Sequence, residues 1–196
     1  MRYETEAMAE IKMVAGLGNP GKEYVNTRHN AGFKVIDSLA EVLAIDVKKK
    51  KFGALFGLGE FSGKKLILLK PIEFMNCSGQ AVATAAGFYR VEPLDLLIIS
   101  DEMALEPGRI RVRRQGSAGG HNGLSDVLEK LGTEEVNRLR VGVGQSGRQD
   151  AVDYVLDEPT AEEKPLLNEA IEKSRDAVLC WIEYGIERTM NDFNEP

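Results

Sequence analysis

The chain has 196 residues, of which 43% are hydrophobic and 29% charged, and its net charge is -6. These values are typical of one globular domain, and no stretch approaches the ~18 consecutive apolar residues of a membrane span. The polar N-terminus lacks the apolar core of a secretory signal, so we expect a cytoplasmic protein without a membrane partner. The two cysteines, Cys77 and Cys180, favour neither a disulfide framework nor a zinc site, and Cys77 is expected to be a small buried side chain.

Charge is unevenly distributed along the chain. Residues 150–196 carry 13 acids and 4 bases, whereas residues 1–149 carry 21 bases and 18 acids. Basic residues cluster at Lys48–Lys51, within 109–114, and at 138 and 140. Such clusters could bind phosphates on a protein that is acidic overall, although solvated strand faces are the simpler interpretation.

The first half of the chain opens with residues 1–10, a predicted disordered leader, and residues 11–196 are predicted to form one domain. The apolar run at 11–15 predicts a buried strand, and apolar residues at helical spacing predict a helix over about 30–44. Two apolar runs within 52–70, separated by a Ser-Gly pair, predict a hairpin.

The second half continues the alternation of helices and strands. The patterns predict a helix over Ser78–Tyr89, a buried strand over Leu96–Ile99 and a strand with one basic face over Arg109–Arg113. They also predict a helix over Asn122–Leu131, with Gly132 as its C-cap, and another strand over Arg138–Val143.

A final helix is predicted from an apolar stripe of eight residues: Leu166, Leu167, Ala170, Ile171, Ala177, Val178, Trp181 and Ile182. Thr160 and Glu163 would form a capping box at its start, but Pro165 conflicts with that frame. Helices mixed with strands predict an α/β fold. We expect a single-domain three-layer α/β sandwich with a twisted, mostly parallel mixed β-sheet flanked by helices.

A G-x-G-x-x-G pattern occupies residues 16–21, directly after the first strand. A dinucleotide site would need a helix that begins at this loop and an acid at the end of a second strand. The helix begins about nine residues too late, Asp37 lies within it, and Pro20 removes a backbone donor. The glycines better suit a sharp turn that presents Asn19 at the end of a strand, or a turn with no further role.

His29 and Asp101 are the candidate catalytic residues. A histidine suits proton transfer near neutral pH, and Asp101 follows a buried strand at the end where ligands of α/β sheets collect. No Gly-x-Ser-x-Gly turn supplies a nucleophile, so the pair would activate water. The pattern predicts hydrolysis without a covalent intermediate.

His121 lies in a glycine-rich segment before a predicted helix. Glycines allow a close backbone approach, and a helix N-terminus favours a developing oxyanion. The alternative is a glycine-rich connection capped by Asn122.

Four segments occur in order along the chain: GLGNPG with YVNTRHNAG, PIEFMNCSG, SDE with PGRIRVR, and GGHNG with RLRVGVG. Together they resemble the bacterial peptidyl-tRNA hydrolase family. The resemblance extends from about Lys12 to Met190. It implies cleavage of the ester between a peptide and the 3′ ribose of tRNA, by a monomer that needs no metal or cofactor. His29 would be the general base, Asp101 would orient it, and Asn19 would recognise a blocked amino group.

The same resemblance implies a substrate-binding set around these residues. Tyr24, Phe74, Asn76 and Asn122 would contact the acyl-ribose end or the peptide. Met75 and His121 would belong to the same cleft, Asn76 or Asn122 would donate to the carbonyl oxygen, and Arg113 and Arg140 would clamp a tRNA phosphate.

The chain departs from the family pattern at Gln145-Ser146, at residues 103–106 and at Ser125. These departures concern the rim that would contact tRNA, not the catalytic set. Two other functions stay open: a non-catalytic RNA-binding relative, and the dinucleotide enzyme.

Overall fold

The computed structural model describes residues 10–145, 147 and 150–194. Residues 1–9 of the expected leader and Ser146 therefore lie outside the described residues, whereas Glu10, the last residue of the expected leader, is described. The Glu10 carboxylate pairs with Lys12 at 2.8 Å and with Lys64 at 3.1 Å. Glu10 thus belongs to the folded domain, one residue earlier than the sequence predicted.

The strands and helices alternate along the chain. The strands are β1 (Ile11–Gly16), β2 (Lys49–Lys51), β3 (Ala54–Phe61), β4 (Lys64–Pro71), β5 (Leu96–Glu102), β6 (Ile110–Arg113) and β7 (Asn137–Gly142). The helices are α1 (Ala31–Val42), α2 (Ser78–Tyr89), α3 (Asn122–Leu131), α4 (Ala151–Leu156), α5 (Glu163–Tyr184) and α6 (Ile186–Phe193). The patterns did not predict β2, α4 or α6, all of which are short.

The strands form one seven-stranded sheet in the order β2-β3-β4-β1-β5-β7-β6. The four strands β4, β1, β5 and β7 are parallel, while β3 and β6 are antiparallel to their neighbours. This confirms the predicted α/β fold with its mostly parallel mixed sheet, and the β3–β4 hairpin.

Helices cover both faces of the sheet. Leu97 and Ile99 pack with α1 and α5 on one face, whereas Leu96 and Ile98 pack with α2 and α3 on the other. Both faces of β5 are therefore buried, which explains its continuous apolar run. No described helix is both long and apolar enough to cross a membrane.

Close packing explains the glycines at the end of β1. A Cβ on Gly16 would lie 2.2 Å from the Gly32 carbonyl oxygen, and a Cβ on Gly32 would lie 2.5 Å from the Leu17 nitrogen. These two glycines let the first turn of α1 lie directly against β1. Helix α1 begins only at Ala31, so the G-x-G-x-x-G loop leads into a short 3-10 turn at Lys22–Tyr24 and does not open an α-helix.

The start of α5 contains the predicted capping box. The Thr160 amide donates to Glu163 Oε2 at 2.8 Å, and the Glu163 amide donates to Thr160 Oγ1 at 3.3 Å. Pro165 is the third residue of the helix, where no intrahelical donor is required. The reciprocal bonds between Thr160 and Glu163 therefore form just ahead of the helix, which itself begins at Glu163, so Pro165 lies in its first turn.

Cys77 contradicts its sequence interpretation, because its side chain is exposed. It ends a 3-10 turn that immediately precedes α2. Free cysteines are usually small buried side chains, but the turn directs Cys77 to the surface.

Candidate active site

A cleft of about 600 Å³ opens at the carboxyl ends of the parallel strands. Nine of the eleven candidate site residues line it: Asn19, His29, Phe74, Met75, Asn76, Asp101, His121, Asn122 and Arg140. The cleft lining includes neither Tyr24 nor Arg113. Tyr24 is half-buried in the turn after β1, and Arg113 is exposed on β6.

His29 and Asp101 are hydrogen-bonded. His29 lies in the 3-10 turn just before α1, and Asp101 is the second-last residue of β5. The distance from His29 Nδ1 to Asp101 Oδ1 is 2.8 Å. The carboxylate side chain is 4% exposed and the imidazole 12% exposed, so the histidine is the more accessible of the two.

His121 binds the same carboxylate oxygen, with Nε2 3.1 Å from Asp101 Oδ1. Its Nδ1 accepts a hydrogen bond from the Leu124 amide at 3.1 Å and caps α3. Because Nδ1 accepts, the ring proton lies on Nε2 and is donated to Asp101. The helix is thus capped by His121 and not by Asn122, and the contact between His121 and Asp101 was not predicted.

Asp101 remains ionised in this environment. Burial by itself would raise the pKa of its carboxyl group, but the interactions with His121 and His29 outweigh burial and hold the pKa well below its usual range. An ionised Asp101 accepts the Nδ1 proton of neutral His29. The unprotonated nitrogen of His29 is then Nε2, which is available as a base.

The three groups could also be considered as metal ligands, since their donor atoms lie within 4.8 Å of one another. A metal on His121 Nε2 would normally require a proton on Nδ1, yet Nδ1 accepts from the Leu124 amide. The donor set therefore suits a hydrogen-bond network better than a metal site.

Asn19 is held in a single orientation. The Asn30 side chain accepts from the Asn19 amide at 2.7 Å and donates to the Asn19 carbonyl at 3.1 Å. The Met75 amide donates to Asn19 Oδ1 at 3.1 Å. Since a backbone N–H requires an acceptor, Asn19 presents its Nδ2 donor to the cleft. The role of Asn30 was not predicted, although it lies next to His29 in the chain.

The basic residues of β6 and β7 share one face of the sheet but differ in environment. Arg111 lies directly across from Arg140, and Arg113 lies across from Arg138. Arg140 pairs with Glu102 at 2.7 Å and donates to the Ser117 carbonyl. Arg113 and Arg140 are therefore diagonal neighbours, not a facing pair.

Arg138 is not part of a basic surface, contrary to the sequence interpretation. It is 0% exposed and donates to four backbone carbonyls, those of Gly116, Ser117, Glu134 and Val136. These bonds fix the loop that leads into α3 and thus the position of His121.

The sequence interpretation also missed an apolar wall of the cleft. Helix α4 contributes Ala151, Val152, Val155 and Leu156, and Met103 lies in the same lining. A six-residue amphipathic segment resembles many loops in sequence, so its pattern is too short to identify it.

Fold and cleft together define a class of protein: a single-sheet α/β protein with a histidine–carboxylate site at the carboxyl ends of its parallel strands. The sequence profile of the family described as peptidyl-tRNA hydrolase matches residues 13–196. The chain belongs to the peptidyl-tRNA hydrolase family, and it is accordingly an enzyme of the hydrolase class.

Individual relatives match over nearly the whole chain. The peptidyl-tRNA hydrolase of Caldanaerobacter subterraneus subsp. tengcongensis is 47% identical over 182 residues, which are 93% of this chain and 98% of that protein. The Bacillus subtilis peptidyl-tRNA hydrolase is 45% identical over 183 residues, 93% and 97% of the two chains. The crystal structure of peptidyl-tRNA hydrolase from Acinetobacter baumannii superposes with a TM-score of 0.89 at 38% identity, covering 95% of this chain and 96% of that one.

Proposed function

We propose that this protein hydrolyses the ester between a peptide, or an N-blocked amino acid, and the 3′ ribose of tRNA. The products would be the free peptide and a tRNA available for reuse in translation. Family membership supports the substrate. The observation that carries the reaction is the hydrogen bond between His29 and the ionised Asp101 inside the cleft.

In the proposed mechanism, His29 Nε2 takes a proton from a water molecule as the water oxygen attacks the ester carbonyl carbon. Asp101 stabilises the resulting imidazolium without accepting its proton. The imidazolium then gives its proton to the departing 3′ oxygen, and the carboxylic acid is released. Neither cysteine lines the described cleft, so water is the proposed nucleophile and no covalent intermediate forms.

Charge that develops on the carbonyl oxygen requires donors. Asn76 and Asn122 lie in the cleft lining, and Asn122 is the first residue of α3. Their side-chain amides, together with the N-terminal end of the helix, would stabilise the oxyanion.

Asn19 would select N-blocked substrates. Its Oδ1 is occupied by the Met75 amide, so it offers a donor that matches the carbonyl of a peptide or acyl group. A free ammonium group has no acceptor for that donor. Aminoacyl-tRNA with a free amino group should therefore bind poorly.

The tRNA body would contact the basic face of β6 and β7. Arg113 is exposed there and Arg140 borders the cleft, in keeping with a phosphate clamp at this edge of the sheet. Tyr24 would contact the substrate beyond the cleft lining. The enzyme would act as a monomer in the cytoplasm, where peptidyl-tRNA is produced.

Release of N-acetylated amino acid from tRNA by the purified protein, without added metal, tests the proposal. The His29→Ala variant should lose about 10²-fold or more in kcat, as expected for a general base. The same ester with a free amino group should react far more slowly.

Two results would count against the proposal. Unchanged turnover by His29→Ala would exclude this histidine as the base. Wild-type protein that binds tRNA but releases no product would favour the non-catalytic RNA-binding alternative.

A further inference from the structure

Arg28 shares its 3-10 turn with His29 but makes a different set of contacts. Its side chain is 5% exposed and lies among α4 and the start of α5. His29 lines the cleft, whereas Arg28 is absent from that lining. The two consecutive residues of this turn thus contact different parts of the protein. His29 lines the cleft, and Arg28 contacts α4, the helix that forms one wall of the cleft.

Arg28 binds the C-terminal end of α4 in three ways. Its Nη1 donates to the carbonyls of Tyr154 and Asp157, both at 3.2 Å, and its backbone amide donates to the same Asp157 carbonyl at 3.1 Å. The guanidinium also stacks on the Tyr154 ring, 4.1 Å from the centroid. A cation at this end of a helix interacts favourably with the carbonyls of the last turn, and the Tyr154 carbonyl also accepts from the Asp157 amide at 3.3 Å.

A second set of contacts ties this cluster to the rest of the domain. Arg28 Nη2 pairs with Glu163 at 2.5 Å, and the Tyr154 hydroxyl donates to the Val143 carbonyl at 2.7 Å. The clamp therefore joins α4 to the capping box of α5 and to the segment after β7.

Stability alone does not account for Arg28. Its Nε is buried without a hydrogen-bond partner among the described residues, so one of its donors is left unsatisfied although the charge is paired with Glu163. Well-packed apolar residues often stabilise a fold as well as a buried ion pair does, or better. A positional role explains why a planar, multiply donating cation occupies this site.

Helix α4 depends on such contacts for its position. It has six residues, whereas isolated helices shorter than about 12 residues are marginal in water. The same helix supplies the apolar wall of the cleft, through Val152, Val155 and Leu156 among others.

We propose that Arg28 is a positioning residue that sets the distance between the α4 wall and His29, and thereby the fit of the substrate's acyl side chain. The part concerning the acyl side chain rests on the proposed function. Substrates with a large apolar side chain next to the ester depend on this wall, whereas a glycyl substrate does not reach it.

The test is the Arg28→Lys variant, assayed with N-acetyl-phenylalanyl-tRNA and N-acetyl-glycyl-tRNA. One ammonium group cannot replace the fork that binds two carbonyls, Glu163 and the Tyr154 ring. We expect KM for the phenylalanyl substrate to rise about tenfold, the size of effect that apolar pocket contacts produce. The kcat values should change less than about twofold, because the His29–Asp101 pair is retained. The KM for the glycyl substrate should also change less than about twofold, because that substrate does not reach the wall.

Hydrogen exchange of the substrate-free protein gives an independent measurement. The amides of Tyr154 and Asp157, which donate to the carbonyls of Asp150 and Asp153, should exchange faster in Arg28→Lys than in the wild type. Arg175→Lys is the matched control, since Arg175 is paired with Asp176 on α5 and does not line the cleft. Glu163→Gln preserves the capping box but removes the charge, and it should show a smaller effect in the same direction.

The outcomes separate this inference from the proposed function. Unchanged exchange in α4 and an unchanged ratio of the two KM values would overturn the inference, as would an equal loss of kcat for both substrates. If Arg28→Lys does not fold, Glu163→Gln decides by the same two measurements. Absence of turnover by the wild type would overturn the proposed function and the substrate-fit claim, while exchange would still decide whether Arg28 holds α4.

Discussion

At the residue scale, the site depends on one carboxylate oxygen. Asp101 Oδ1 accepts from two histidines, at 2.8 Å from His29 and 3.1 Å from His121. His121 is itself fixed by the Leu124 amide, so its proton can only be directed at Asp101. The tautomer of His29 therefore follows from the ionisation of Asp101, and that ionisation is maintained by both histidines.

The Asp101→Asn variant tests this dependence through pH. The pKa of Asp101 is lowered in the folded protein, so its contribution to stability is fully present above the unfolded value of about 3.9 and is lost as the pH falls through the folded value. We expect the wild type to exceed Asp101→Asn in free energy of unfolding at neutral pH, and the difference to shrink only below about pH 4. Urea denaturation at pH 7, 5 and 3.5 measures it, and a difference that already shrinks between pH 7 and 5 would contradict the assignment.

At the element scale, short segments position the side chains of the site, whereas long segments form the core of the fold. Helices α1 and α5 and the central strands bury the core, and their patterns were clear in the sequence. The 3-10 turn of His29 and the six-residue α4 line the cleft and depend on side chains from elsewhere. The capping box at α5 links the two groups, since Glu163 serves both the helix start and Arg28.

Thr160→Ala should weaken the start of α5. It removes one of the two acceptors of the Glu163 amide, the Thr160 hydroxyl, and leaves the Thr160 carbonyl at 3.1 Å. Loss of such a capping side chain costs about 1 kcal/mol. For a domain of this size we expect Tm to fall by about 2–4 °C in thermal denaturation. Thr160→Ser, which keeps the hydroxyl, should melt close to the wild type. An unchanged Tm for Thr160→Ala would mean that the Glu163 amide does not need this cap.

At the scale of the whole molecule, the acidic and the basic parts of the sequence lie in different elements of the fold. The acidic C-terminal part supplies α5 and α6, whereas β6, at one edge of the sheet, exposes Arg111 and Arg113. A protein with a net charge of -6 can thus present a local basic face beside its cleft.

Salt dependence of tRNA binding tests that face. Replacing both Arg111 and Arg113 by Gln should weaken binding and reduce the slope of log K against log salt by about one unit for each phosphate that the variant no longer neutralises. Lys65→Gln is the control, because Lys65 is an exposed strand lysine near the amino end of β4. An unchanged slope in the double variant would place the phosphates elsewhere, for example at Lys48–Lys51.

The sequence by itself determined most of the elements and most of the residues in the cleft. An alanine-rich stretch identified α2, and a helical segment ended by Gly132 identified α3, both to the residue, because these signals are local in the chain. Asn19 and Asp101 were identifiable because they follow strands at the end where ligands of α/β sheets collect, and His29 because a histidine suits proton transfer near neutral pH. The resemblance of the sequence to a known family added Asn76 and Asn122, which patterns alone would not distinguish from loop residues.

Only the tertiary structure decided how these residues combine. Strand order, the second histidine on Asp101, the burial of Arg138 and the clamp from Arg28 to α4 all join residues distant in the chain. Local sequence reports whether a residue is suited to burial or exposure, but not which partner it meets. In the sequence alone, an arginine that donates to backbone carbonyls cannot be distinguished from an arginine that faces solvent.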